Sequence, residues 1–319
     1  MELRSLSYFV RIAELGSITR AAAHLRLAQP ALTRHVQRLE EELGVALFTR
    51  ANRGVRLTEA GEKLLESAMR ILRDVERTGD EIRAQEAHPS GRIILGVTPT
   101  LCPVLAPDLF AHMRADYPRV ELKVVHAGMV RLEEFVIDGR VDLALLSELS
   151  RSRLIVSTRL AQEEMVLVSK PDTRRPGIVS GEELRQTPLV LGDGLRAALD
   201  ALLAGRGIEL QVETEVNDHE TMRLMAQRGA GATVLPYSSV ARECERGLLQ
   251  AHRLTDAGVF RTLALGVRAG RTASPAREAV ARTITALVAE MDRTGRLSLG
   301  EEAPLRAGKA QSAGLSRGI

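Results

Sequence analysis

Between Glu14 and Glu40 the chain carries no carboxylate, yet Arg20, Arg26, Arg34 and Arg38, with His24 and His35, all fall inside that interval. A second acid-free stretch, Leu43 to Thr58, holds Arg50, Arg53 and Arg56. Nine Arg less five Glu give +4 over residues 1–57, against +3 for all 319 residues, so the remaining 262 sum to −1. Guanidinium groups gathered without carboxylates suit phosphate, because each one displaces condensed counterions and donates to phosphate oxygens. The same interval supplies side chains that reach base edges. Gln29, Thr33, Arg34 and Gln37 are of the types that read a major groove: amide to adenine, guanidinium to guanine, hydroxyl to either.

Other chemistry is less well supplied. Walker A, His-Glu-x-x-His and Cys-x-x-Cys patterns are missing, and the seven His are scattered without ligand spacing. Neither catalysis nor a metal site nor a bound cofactor is expected. Cys102 and Cys244 are too few for a disulfide framework, and reduced thiols are the expectation, with redox sensing at Cys102 as an alternative. A second alternative is a nucleotide site: Leu189–Leu191, then Gly192-x-Gly194-x-x-Ala197, with Glu215 about twenty residues further on. Asp193 beside a pyrophosphate argues against it. Aromatic residues make up 3% of the chain, with no Trp, which excludes single-strand binding by base stacking.

These residues must be held by elements that the periodicity makes visible. Leu6, Phe9, Val10 and Ala13 form one helical stripe, Ala21, Ala22 and Leu25 a second, and Ala31, Leu32, Val36 and Leu39 a third. Gly16-Ser17 separates the first two, a tight turn at Arg26-Leu27-Ala28 the next, and Pro30 fits the first turn of the third helix. Phe48 to Leu57 reads as a hairpin turned at Asn52-Arg53-Gly54. Three helices and a basic hairpin describe a winged helix-turn-helix over residues 1–58. Its third helix would enter the major groove, with Arg53 in the adjacent minor groove and Arg50 on a phosphate.

Thr58 then caps a long helix along which Leu64, Ala68, Leu72, Val75 and Ile82 recur at spacings of three, four and seven. One apolar stripe on a long helix calls for a partner, so 59–90 is expected to be a dimerisation helix and hinge. After His88-Pro-Ser-Gly91 the pattern changes to strand-like runs alternating with amphipathic helices, implying a mainly parallel α/β sheet. Residues 91–291 are long enough for two lobes, expected as 91–161 with 268–291 and as 162–267. Residues 292–319, without apolar periodicity, are expected to form a disordered tail. No stretch approaches the roughly 18 apolar residues of a membrane span, and charges run through the N-terminal segment, so a cytoplasmic protein is expected.

The series Tyr8-Phe9-Val10…Ala13-Glu14…Gly16-Ser17…Ala21-Ala22…Gln29-Pro30-Ala31-Leu32-Thr33-Arg34…Leu43-Gly44…Leu47-Phe48…Arg50…Arg53…Leu57-Thr58 resembles the DNA-binding domain of LysR-type transcriptional regulators. The resemblance is free of gaps over about sixty residues; Thr33 keeps the hydroxyl of the family's more usual Ser. It implies that Gln29, Pro30, Thr33, Arg34 and Arg53 face DNA and that the long helix pairs two subunits. It also implies a homodimer or homotetramer on an interrupted palindrome, with RNA polymerase as a partner. Further landmarks of the family's effector domain are Tyr117-Pro118, Asp138–Leu146, Gly194-Leu195-Arg196 and Gly229–Pro236. That domain is similar to type 2 periplasmic binding proteins, with a small-molecule effector held between two lobes. By position, Thr98, Thr100, Leu101, Met129, Ser147, Asp193 and Gly194 should line that cleft. Ser147 stands where some members that sense organic acids carry a base, which favours a neutral or weakly polar effector.

Overall fold

The computed structural model describes residues 1–51, 54–83, 89–172, 177–204, 207–270 and 274–299, without the side chains at 76, 77, 80–83 and 202. The chain divides into two compact units, residues 1–91 with 138–140, and the rest of the described chain.

In the first unit, α1 (Leu3–Leu15) buries Leu6, Phe9 and Ile12 at three-residue spacing and stops at Gly16, whose φ of 60° is left-handed. Ser17 caps α2 (Ile18–Leu25) by accepting the Arg20 N–H, a cap worth about 1 kcal/mol. The α2 helix ends at Arg26, also left-handed at φ 55°, which turns the chain sharply into α3 (Gln29–Leu43) with Pro30 in its first turn. Leu32, Val36 and Leu39 of α3 close the core, each contributing roughly 1.5–3 kcal/mol by leaving water. Strands β1 (Phe48–Ala51) and β2 (Gly54–Leu57) pair antiparallel with Arg50 opposite Val55. Asn52 and Arg53, at the hairpin tip, lie outside the described residues.

Helix α4 (Glu59–Arg83) starts as expected, with the Thr58 hydroxyl accepting the Gly61 N–H at 3.0 Å and donating to the Ala46 carbonyl at 2.8 Å. Part of its stripe packs within the unit. Ala68 is fully buried, and Leu64 and Leu72 are half-buried, in a cluster with Leu6, Phe9, Leu39 and Leu47 of the same unit. The first half of α4 thus completes the core that α1 leaves open. Val75 lies beyond that core and is exposed, and the Ile82 side chain is outside the description.

The second unit opens with β3 (Gly91–Val97), α5 (Cys102–Asp116), β4 (Val120–His126), α6 (Met129–Ile137) and β5 (Leu143–Leu146). A 15-residue strand follows, β6 (Ile155–Ser169), and then β7 (Ile178–Val179), α7 (Gly181–Gln186), β8 (Leu189–Leu191), α8 (Asp193–Leu203), β9 (Val212–Glu215), α9 (His219–Arg228) and β10 (Thr233–Pro236). A 3-10 turn at Tyr237–Ser239 leads into α10 (Ala241–Glu245), β11 (Gln250–Leu254), β12 (Val259–Arg268) and α11 (Pro275–Arg293). The main sheet runs β4-β3-β5-β12-β6-β11-β7, with β10 also on β6 and a separate β8-β9 pair.

The β3/β5, β7/β11 and β8/β9 pairs are parallel, as alternating βα units require. At the centre the expectation of a mainly parallel sheet fails, since β12 runs antiparallel to both β5 and β6, and β10 and β11 antiparallel to β6. The cause is that β6 and β12 belong to two lobes at once. Ala161 of β6 and Leu263 and Leu265 of β12 join a core with Leu95, Leu109, Leu143 and Ile284. Met165–Val168 and Val259 join the other core, with Leu189, Leu199 and Val234. The second crossing thus falls between Val259 and Leu263, before the expected boundary at 267, because Ala264–Gly266 are paired with β5.

A third crossing corrects the expected tail. Leu297 is fully buried in the first lobe's core, and Leu299 packs on the second. The Leu297 carbonyl accepts the Glu164 N–H at 2.8 Å, and the Leu299 N–H donates to Glu164 Oε2 at 2.8 Å. Two leucines spaced by two along an extended strap suffice to anchor it, although that pattern is too short to register as periodicity. Residues 300–319 lie outside the described residues.

Candidate DNA interface and interlobe cleft

On α3 the buried positions Leu32, Val36 and Leu39 fix which face remains open, and Gln29, Pro30, Arg34, Gln37 and Arg38 are exposed there. Thr33 is half-buried: its hydroxyl donates to the Gln29 carbonyl at 3.0 Å, and Gln29 Nε2 donates to Thr33 Oγ1 at 3.0 Å, so the two side chains are mutually oriented. Arg50 is exposed on β1. Among the described residues no carboxylate pairs with Arg34, Arg38 or Arg50, which leaves their donors available to an external anion. Arg53 cannot be placed.

Two contacts fix the hairpin against the helices, and sequence reading found neither. Glu40, on α3, accepts the N–H groups of Leu47 at 2.7 Å and Phe48 at 3.2 Å through one carboxylate oxygen. At the far end the Val55 N–H donates to the Gly16 carbonyl at 3.0 Å. Gly54 approaches so closely that a Cβ on it would lie 2.2 Å from the Gly16 oxygen, and its φ is 135°. Glu40 is the acid that ends the carboxylate-free interval, and its role is to hold the wing.

In the second unit the loop after β3 and the crossing strands meet. The Thr98 carbonyl accepts the N–H groups of Leu101 and Cys102, both at 3.1 Å, starting α5. Thr98 and Thr100 are buried, and Thr98 Oγ1 has no hydrogen-bond partner among the described residues. Leu101, at 1% exposure, is part of the first lobe's core. Met129 packs on the cluster around Leu132 and Val136, and Ser147, just past β5, is half-buried.

The principal charged group was absent from the sequence expectations. Arg261 of β12 donates through Nε to Glu163 Oε2 at 2.8 Å and through Nη2 to the same oxygen at 2.7 Å. Nη2 also donates to Thr100 Oγ1 at 3.1 Å. Ser238, in the turn after β10, donates to Glu163 Oε1. One ion pair thereby links the Thr100 loop of the first lobe to the Ser238 turn of the second. His219 opens α9 beside it. Burial and the Arg261 charge lower its pKa below the ordinary 6.5, against a smaller opposing pull from Asp218, so the ring is held neutral.

Asp193 and Gly194 are exposed where α8 begins, and their surroundings exclude the nucleotide alternative. Asn217 sits over that helix start, its Oδ1 accepting the Asp193 N–H at 2.8 Å and its Nδ2 donating to Asp193 Oδ2 at 3.2 Å. A Cβ on Gly192 would lie 2.7 Å from Asn217 Oδ1 and from the Val216 carbonyl. The glycine admits the protein's own loop where a pyrophosphate would need to sit. Glu215 lies 3.6 Å from Arg196 rather than facing a ribose. The thiols are unactivated too, since burial raises the pKa of Cys102 and pushes Cys244 up to about 12. Peroxide sensing needs the opposite shift, toward thiolate.

Comparison with known proteins agrees with both units. Residues 3–62 match the family model described as bacterial regulatory helix-turn-helix protein, lysR family, and residues 86–289 match LysR substrate binding domain. The HTH-type transcriptional regulator BbuR of Bordetella bronchiseptica is 34% identical over 265 residues, 82% of each chain. A hydrogen peroxide-inducible genes activator of Pectobacterium carotovorum is 31% identical over 251 residues, 77% of this chain and 83% of its own. Among solved structures, CbnR, a LysR family transcriptional regulator, superposes with a TM-score of 0.69 at 25% identity, covering 89% of this chain and 98% of its own. Full-length CbnR complexed with its target DNA gives 0.54 at 26% identity, covering 90% of this chain and all of its own.

Proposed function

Because the chain belongs to the LysR family and is a DNA-binding transcriptional regulator with a C-terminal effector domain, we propose that α3 reads the major groove and that the interlobe cleft governs the reading. The observation that carries the first half is the open face of α3. Gln29, Arg34 and Gln37 project from it without internal partners for the guanidinium, and base edges offer what those groups lack. Arg50 on β1 takes a phosphate, and Arg53 reaches the adjacent minor groove. CbnR has been captured on its target DNA, and the same kind of complex is proposed here, in the cytoplasm, with an interrupted palindrome bound by a homodimer or homotetramer. RNA polymerase is the partner through which promoter occupancy acts.

The second half rests on the buried, unpartnered Thr98 hydroxyl and on the Arg261–Thr100 hydrogen bond in the same loop, where both lobes contribute. A small molecule bound there, with Ser147, Asp193 and Gly194 at the rim, favours one lobe arrangement over another. It shifts the DNA complex only by that difference in affinity, typically about 1–3 kcal/mol. No cofactor is invoked. Hydroxyl-radical footprinting of the intact protein on duplexes selected from a random pool tests the DNA half. Protection of two sites about one helical turn or its multiple apart supports the proposal, and uniform protection along the duplex overturns it.

A further inference from the structure

The junction of the two lobes already contains a carboxylate. Glu163 is fully buried, and both its oxygens are occupied, Oε2 by Nε and Nη2 of Arg261 and Oε1 by the Ser238 hydroxyl. Arg261 and Glu163 are register partners on β12 and β6, so backbone pairing fixes the two groups side by side. We propose that Glu163 is a specificity determinant: it holds the place on Arg261 that the carboxylate of an organic acid would take, so that the cleft accepts an uncharged ligand bearing hydrogen-bond acceptors and refuses organic acids. This deepens the effector-site reading given above and rests on it.

Charge and valence both carry the inference. The pair sums to zero, and its other charged-capable neighbour, His219, is held neutral by burial and by Arg261 itself. An incoming carboxylate would bring a second negative charge beside Glu163 in a site screened from water, the arrangement in which one of two acids is forced to take up a proton. Nor does β5 supply a compensating base, since Ser147 stands just past its end. Hydrogen-bonding capacity is nevertheless left over. Among the described residues the hydrogen bonds of Arg261 run through Nε and Nη2, leaving Nη1, which only donates; the buried, unpartnered Thr98 hydroxyl can donate as well as accept. Donors without net charge match a carbonyl oxygen, as in an amide, ester or ketone.

The test is chemical rescue. The intact wild type and Glu163→Ala are melted in rising sodium acetate and, separately, acetamide, with ionic strength held by sodium chloride. Removing Glu163 leaves a carboxylate-sized space against an uncompensated guanidinium. Acetate is expected to stabilise Glu163→Ala with apparent affinity about tenfold or more tighter than the wild type, the scale of a neighbouring charge. Acetamide should not do this. Saturable acetate binding by the wild type at the affinity of the variant overturns the proposal, and so does a variant indifferent to acetate. Should Glu163→Ala not fold, Glu163→Ser, which also vacates the carboxylate position and loses the charge, carries the same comparison. DNA affinity measured on the acetate-loaded variant separates the two claims: acetate that binds without altering DNA affinity contradicts the effector-site reading and leaves the selectivity of Arg261 standing.

Discussion

Arg261 and Glu163 face each other across the two antiparallel strands that connect the lobes, 2.7 Å apart at Nη2 and Oε2, one reaching Thr100 in the first lobe and the other Ser238 in the second. A fully buried carboxylate left without its guanidinium costs about 3–5 kcal/mol, whereas exchanging both for apolar groups of similar volume is close to neutral. Arg261→Met is therefore expected to lower the melting temperature far more than the double change Arg261→Met with Glu163→Met. Equal losses in chemical denaturation would mean that the two residues are not coupled.

The strap after α11 gives a separable prediction. Leu297→Ala opens a cavity in the first lobe and should cost about 2–5 kcal/mol. Leu299→Pro removes the N–H that donates to the buried Glu164 carboxylate, which should cost about 1.5–3 kcal/mol beyond Leu299→Ala. If urea melts of the proline and alanine variants coincide, the strap does not bind Glu164.

What the sequence showed and what it concealed divide along physical lines. The helices of the first unit and the polar face of α3 were legible because each apolar stripe is covered within a few dozen residues. The stripe on α4 reads as a subunit seam, and nothing in Leu64, Ala68 and Leu72 says that the core around α1 also takes part of it. In the second unit the first part of β6 is hidden by Glu163-Glu164. Adjacent acids in a buried strand break the apolar pattern, and only Arg261 and Arg253, about ninety or more residues away, make them tolerable. The same distance concealed Arg261 as a partner of Thr100.

Glu40 tests whether the wing is fixed from within. Glu40→Ala leaves the Leu47 and Phe48 N–H groups without their acceptor, and about 1–3 kcal/mol of stability should go with it. Hairpin amides should then exchange hydrogen faster than those of α1. Unchanged exchange at Leu47 and Phe48 would show that the carboxylate does not hold them.

His219 sets a pH dependence. Its pKa is lowered in the folded chain, so the unfolded chain takes up the proton first as pH falls. Stability from the neutral ring is complete above the ordinary 6.5 and is lost as pH drops from there toward the lowered folded value. Across that window the wild-type melting temperature should fall more steeply than that of His219→Gln. Parallel slopes would place the ring in water rather than against Arg261.

The most direct measurement is base discrimination by α3. The intact wild type and Arg34→Ala are each taken through selection on randomised duplexes at one fixed salt concentration. The wild type should enrich a two-fold related site, and Arg34→Ala should lose preference at one position of each half-site, on the order of 1–3 kcal/mol if the guanidinium bridges a guanine. Identical site preferences for the two proteins, or no enrichment by the wild type, would contradict α3 as the element that reads DNA.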